Sequence, residues 1–179
     1  MKLRKLEEKD APFMMEWMHD PSVVENLQAD FASMQMADCA RFIELAQDTT
    51  YNLHLAIVDD TDEYQGTVSL KHISGRGAEF AIVVRKSAMG KRFSEYGMEE
   101  VLRIAFEMFG LDTVYWCASP RNRRACRFYE KQGFGRFDIM EDAGLYCNLV
   151  QGGYRPEQIA GYYWYRKTRK AAEGENKTS

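Results

Sequence analysis

The sequence has little from which a metal centre or a disulfide framework could be built. Its four cysteines, Cys39, Cys117, Cys126 and Cys147, show no C-x-x-C spacing, and its three histidines, His19, His54 and His72, are scattered. Neither a structural metal nor a set of paired cysteines is expected. No apolar run approaches the ~18 residues of a membrane-crossing helix. The N-terminal MKLRKLEEKD lacks the apolar core of a signal peptide, so a cytoplasmic protein without membrane association is expected. Basic charge is not in excess either, the net charge being −3. This argues against general nucleic-acid binding, which marks a domain by a basic surface.

What positive charge there is falls in two places: Arg85, Lys86, Lys91 and Arg92, then Arg121, Arg123, Arg124 and Arg127. A chain of 179 residues with ordinary apolar content suits one compact α/β domain. We expect it over residues 1–165, followed by a polar, disordered tail over 166–179.

The organising stretch runs from Ala78 to Phe109. Ala78–Val84 is apolar and rich in Ile and Val, the pattern of a buried strand, with one carboxylate, Glu79. Met98, Val101, Leu102, Ala105, Phe106 and Phe109 then fall on one helical face, and Gly110 provides a stop. Between strand and helix, Lys91 and Arg92 lie where the helix dipole disfavours cations, and free N–H groups with two cations suit a phosphate. A solvated basic loop is the plain alternative. Arg123 and Arg124 repeat the pattern at a later helix that opens after Asn122 and closes at Gly133.

Around this core the periodicity predicts a first strand over Leu3–Leu6, a helix begun by Asp10 as N-cap with Phe13, Met14, Trp17 and Met18 inward, and a second helix within Met34–Gln47. A hairpin follows, from Tyr51–Val58 through the acidic turn DDTDEYQG to Thr67–Ile73. Further strands are predicted over Asp112–Ala118, Phe134–Met140 and Gly161–Tyr165, with a Gly-containing connection around Gly152 and Gly153.

This order of elements, the basic loop after AEFAIVV and the later NRRACRFYEKQGF resemble the GNAT superfamily of acyl-CoA-dependent N-acetyltransferases. The match is strongest over Ala78–Phe134, where Asn122, Ala125, Tyr129, Glu130, Lys131, Gly133 and Phe134 follow the family's late helix. The phosphate loop of the family, Q/R-x-x-G-x-G/A, aligns with Met89, Gly90, Lys91, Arg92, Phe93 and Ser94. Met89 thus stands where a basic residue is usual, and Arg92 where a glycine is.

The resemblance implies a central mixed, twisted sheet of about seven strands, α/β (α+β) in class, with a splayed central strand and about four helices. It implies acetyl-CoA as co-substrate and no metal. Main-chain groups near Ile82, Val83 and Val84 would meet the pantetheine and the thioester, and Gly90–Ser94 the diphosphate. The remaining phosphate would find Arg123, Arg124 or a basic residue of the loop, and Asn122 would also border the co-substrate. Tyr129 takes the position that assists the departing thiolate. Glu79 is the first candidate for the base and His72 the second, each with a purely structural alternative. The acceptor is expected to be a primary amine of a small molecule or a peptide. EWMHDP, RFIELAQD and AEF are similar to the branch of ribosomal-protein N-terminal and nucleotide-linked amino-sugar acetyltransferases, and the amino sugar is the preferred acceptor. A peptide N-terminus, or an acyl-CoA-binding module without turnover, are the alternatives. The chain is expected to be a monomer or a homodimer.

Overall fold

The computed structural model describes residues 1–169. Seven strands form one sheet: β1 (Lys2–Lys5), β2 (Leu53–Val58), β3 (Tyr64–Ser74), β4 (Gly77–Val84), β5 (Thr113–Ala118), β6 (Arg136–Phe137) and β7 (Tyr163–Thr168). Their spatial order is β1-β2-β3-β4-β5-β7-β6. Only the central β4–β5 pair is parallel, so the sheet is mixed, as expected.

Seven helices are present among the described residues rather than about four: α1 (Ala11–Met18), α2 (Pro21–Val24), α3 (Met36–Leu45), α4 (Phe93–Arg103), α5 (Arg123–Lys131), α6 (Ala143–Gln151) and α7 (Pro156–Gly161). None is long and apolar enough to cross a membrane.

The alternation of side chains along β4 and β5 decides which layer each face meets. Ala78, Phe80, Val114 and Trp116 share a core with Met98, Val101 and Leu102 of α4 and with Cys126 and Tyr129 of α5. The opposite face is covered in two pieces. Met14, Trp17 and Ile43 from α1 and α3 pack over Ala56, Val58 and Tyr64, while Leu145, Leu149 and Ile159 from α6 and α7 pack over Tyr115 and Trp164. Between those pieces the middle of the sheet is only partly covered.

Three expectations are corrected. Asp10 precedes α1 but does not cap it. Its buried carboxylate instead takes both terminal nitrogens of Arg4 at 2.8 Å and the Glu7 N–H, because a buried charge needs an opposite charge more than a helix end needs a cap. The strand expected over Phe134–Met140 is reduced to Arg136–Phe137 and is followed by helices α6 and α7, which the Gly152–Gly153 turn connects. Finally, β7 runs through Thr168, so Arg166–Thr168 belongs to the sheet and not to a tail. The rest of the expected tail, 170–179, lies outside the described residues.

Candidate functional site

Strand β4 pairs with β5 only at Gly77, Ala78 and Glu79, opposite Thr113, Val114 and Tyr115. It stays paired with β3 from Glu79 to Val84. Beyond Glu79 the two parallel strands therefore diverge. Alternate residues of Phe80–Val84 turn their N–H and C=O groups toward the gap with no strand to receive them. Ala81, Ile82 and Val83, at the centre of the sheet, are only half-buried.

A cavity of about 330 Å³ opens at this gap. Ile82, Val83 and Val84 form its floor. Met89, Gly90, Arg92, Phe93 and Ser94 form one rim, and Asn122, Arg124 and Tyr129 the other. The structure thus brings together nearly all the residues that the resemblance assigned to the co-substrate. Lys91 and Arg123 are the exceptions; both are exposed and neither lines the cavity.

The rim loop turns through two left-handed residues. Gly90 has φ +75° and Arg92 φ +68°, both left-handed, and α4 starts at Phe93 with no side chain capping it. Arg92 therefore holds the backbone conformation usual for glycine, leaving the first N–H groups of α4 free for an anion. Its side chain is turned to Glu95, with Nε 2.6 Å from Oε2. Replacing Arg92 by Gly is expected to raise Tm by about 2–4 °C, since it removes the left-handed penalty of an L side chain. Calorimetry showing an unchanged or lower Tm would refute this account of the loop.

Met89 leaves the first loop position without charge, but a guanidinium reaches it from elsewhere. Arg124 of α5 places Nη1 2.8 Å from Met89 Sδ. Asn122 has a structural duty: its Oδ1 accepts the Ala125 N–H at 3.1 Å and caps α5. Two helix starts and a guanidinium with no carboxylate partner among the described residues thus border one cleft, an arrangement suited to an extended anionic chain.

Tyr129 lies at the closed end, packed against Phe80, Trp116 and Tyr165 with ring centroids 6.4, 5.5 and 5.2 Å away. Its hydroxyl has no hydrogen-bond partner among the described residues. Burial, with the nearby Cys117 second, pushes its pKa well above the ordinary phenol value, so it stays protonated.

Glu79 is on the other face of the sheet and lines a different cavity, of about 580 Å³. Its side chain is 5 % exposed. Oε1 accepts hydrogen bonds from Lys71 Nζ and from the Tyr154 hydroxyl, each at 2.8 Å. Oε2 is buried with no hydrogen-bond partner. His72 Nε2 is 3.8 Å from it, at the end of a side chain that is 55 % exposed. Nearby, Gln28 Nε2 donates to Cys117 Sγ at 3.2 Å. Burial, then the Glu79 charge, pushes that thiol up to about 12, which keeps it protonated and unreactive at neutral pH.

The predicted residues therefore line two cavities with no residue in common: Tyr129 the one at the gap, and Glu79, the last residue of β4 paired with β5, the other. Sequence reasoning missed Lys71, whose place opposite Glu79 follows from the β3–β4 register. It also missed Tyr154, which stands in a segment not read as structured, and Gln28.

The sequence model of the acetyltransferase (GNAT) domain matches residues 1–135. Acetyltransferase PseH of Campylobacter jejuni is 21% identical over 143 residues, covering 79% of this chain and 86% of its own. The uncharacterized N-acetyltransferase p20 of Bacillus licheniformis is 25% identical over 146 residues, covering 78% and 82%. Among solved structures, the spermidine N-acetyltransferase of Vibrio cholerae in complex with CoA and spermine superposes with a TM-score of 0.67 at 21% identity, over 76% of this chain and 81% of that one. A chimera of the Vibrio cholerae enzyme SpeG gives 0.69 at 18% identity, over 93% and 94%. These likenesses establish the fold.

Proposed function

The chain belongs to the GNAT acetyltransferase family, and from that premise we propose that it moves an acetyl group from acetyl-CoA to the primary amine of an amino sugar carried on a nucleotide. The observation that carries this reading is the divergence of β4 from β5 after Glu79, which leaves main-chain groups of Phe80–Val84 without a strand partner beside the cavity that Tyr129 lines.

In this reading the thioester lies along Ile82–Val84 and the diphosphate against Gly90–Ser94. Arg124 and the start of α5, at Asn122, face the remaining phosphate. A main-chain N–H of β4 holds the carbonyl oxygen as it becomes an oxyanion, a contact worth about 3 kcal/mol where one such donor has been removed elsewhere. The acceptor arrives as an ammonium, since an alkyl amine of pKa ~10 is about one-thousandth neutral at pH 7. Glu79 Oε2 takes its first proton. The nitrogen lone pair forms the C–N bond, the C–S bond breaks, and the second amine proton ends on sulfur. Tyr129 donates a hydrogen bond to the sulfur as charge builds there. The products are the amide, free CoA thiol and one proton released from Glu79.

The charges near Glu79 favour a hydroxyl-rich acceptor over a polyamine. Both carboxylates of the second cavity are already countered, Glu79 by Lys71 at 2.8 Å and Asp142 by Arg166 at 3.7 Å. The remaining lining includes Ser74, Thr113, Asn148 and Gln151, which are hydroxyls and amides. A multiply charged amine would need uncompensated carboxylates.

The test is thermal stability with rising acetyl-CoA, beside a nucleotide lacking pantetheine, followed by a panel of a nucleotide-linked 4-amino-4,6-dideoxy sugar, a peptide with a free α-amine, and spermidine. A saturable rise with acetyl-CoA alone is expected, with transfer fastest to the sugar. Fastest transfer to the peptide or to spermidine would overturn the acceptor. Absence of any shift at millimolar acetyl-CoA would overturn the co-substrate site.

A further inference from the structure

We infer that Tyr154 is a positioning residue for Glu79: by sharing Oε1 with Lys71 it fixes the carboxylate so that Oε2 stays free for the acceptor's ammonium. This rests on the reading of Glu79 as the base and adds a second residue through which that base works.

Tyr154 stands outside the stretch that matches the family, residues 1–135. The helical segment that follows holds it in place. After α6 the chain turns through Gly153 at φ +96°, and the Tyr154 N–H returns to Leu149 O at 3.0 Å. The Tyr154 ring packs on Trp164 with centroids 5.8 Å apart, and the Trp164 indole N–H is tied to Ile159 O at 2.8 Å. The phenol is thus aimed by α6, α7 and β7 together.

At its target the geometry is asymmetric. Two donors occupy one oxygen of Glu79, and the other oxygen is buried without a partner. Buried carboxylate oxygens are nearly always hydrogen-bonded, so an orphan beside a polar cavity marks where a donor from a ligand belongs. Two fixed hydrogen bonds to Oε1 also hold the carboxylate in one orientation, with Oε2 turned away from both donors. Burial first, then the fields of Cys117 and Glu79, keep the Tyr154 phenol protonated, as a donor must be. The same segment supplies Leu145, Asn148 and Gln151 to the cavity wall. The part of the chain that shapes the acceptor's pocket therefore also orients the base.

The experiment is a double-mutant cycle in the full chain between Tyr154→Phe and Glu79→Gln. It is read as kcat/KM with the fastest amine of the panel above, or as acetyl-CoA hydrolysis, with water as acceptor, if no amine is used. Acetyl-CoA affinity is measured in parallel. Tyr154→Phe should lower kcat/KM about tenfold with acetyl-CoA affinity within twofold, and should cost less than twofold more in the Glu79→Gln background. Full turnover in Tyr154→Phe, or an undiminished tenfold loss in the Glu79→Gln background, would overturn the positioning role while leaving Glu79 as base. Full turnover in Glu79→Gln, or no turnover of any acceptor by the wild type, would overturn the reading beneath it. If Tyr154→Phe fails to fold, Lys71→Met removes the other donor to Oε1 and is read by the same cycle.

Discussion

Tyr129→Phe is expected to lower kcat about 100-fold while acetyl-CoA affinity stays within twofold, a loss of ~2.7 kcal/mol confined to the transition state. Phenylalanine keeps the ring that packs on Phe80, Trp116 and Tyr165. The hydroxyl has no partner to lose among the described residues, so Tm should stay near that of the wild type. What disappears is the hydroxyl donor that Tyr129 brings to the first cavity, where the proposed reaction releases the sulfur. A phenol near ~10 facing a thiol near ~8.5 gives up its proton at a cost of roughly 2 kcal/mol, so a hydrogen bond to the thiolate serves better than full transfer. Burial raises Tyr129 further, which strengthens that conclusion. Steady-state kinetics beside calorimetric titration with acetyl-CoA would decide it. Turnover equal to wild type would remove Tyr129 from the mechanism, and binding without any transfer by the wild type would favour a module that holds acyl-CoA without using it.

The parts of the fold that were legible in the sequence are those set by local periodicity. The run Ala78–Val84, the apolar face of α4 and the Asn122 cap of α5 each announce themselves within about a dozen residues. The divergence of β4 from β5 has no such signature, because AEFAIVV reads as uniformly apolar whether or not a neighbour pairs with it. It came only from resemblance. Arg92 could not be read either: a left-handed arginine is a consequence of the chain reversal between β4 and α4, not of its own preference. Arg124 standing in for the missing charge at Met89 depends on two segments 35 residues apart. The segment after Phe137 is a different case. Asp142 accepting the Leu145 N–H and Pro156 opening α7 are ordinary helix starts, and Leu145, Leu149 and Ile159 are the buried positions. The paired glycines after α6 drew attention to the turn and away from the helix that it ends. Nothing local therefore places Tyr154 beside Glu79.

Gly66→Ala is expected to destabilise the protein by about 3 kcal/mol, lowering Tm by about 6–12 °C, and to weaken acetyl-CoA binding as well. Gly66 lies between Ile57 of β2 and Val84 of β4, just after the register shift that leaves Gln65 without a partner on β2. A Cβ there would stand 2.4 Å from the Val83 carbonyl oxygen and 2.9 Å from Val84 Cα. Both are main-chain atoms, which yield only if the end of β4 moves. That end carries two duties. Val83 and Val84 floor the first cavity, and the next residue, Arg85, anchors α1 through Glu16 at 2.6 Å and the β2–β3 turn through Glu63 at 2.7 Å. Displacing it therefore disturbs a buried guanidinium and the wall of the cavity proposed for acetyl-CoA together, which is why stability and affinity should fall in the same variant. Gly135→Ala is the control, since a Cβ there meets nothing within 4 Å and its φ is not left-handed. Urea unfolding should separate the two variants clearly. If Gly66→Ala unfolds at the wild-type midpoint, β4 has room beside β3, and the tight seating of its C-terminal end, on which the geometry of the first cavity depends, would be wrong.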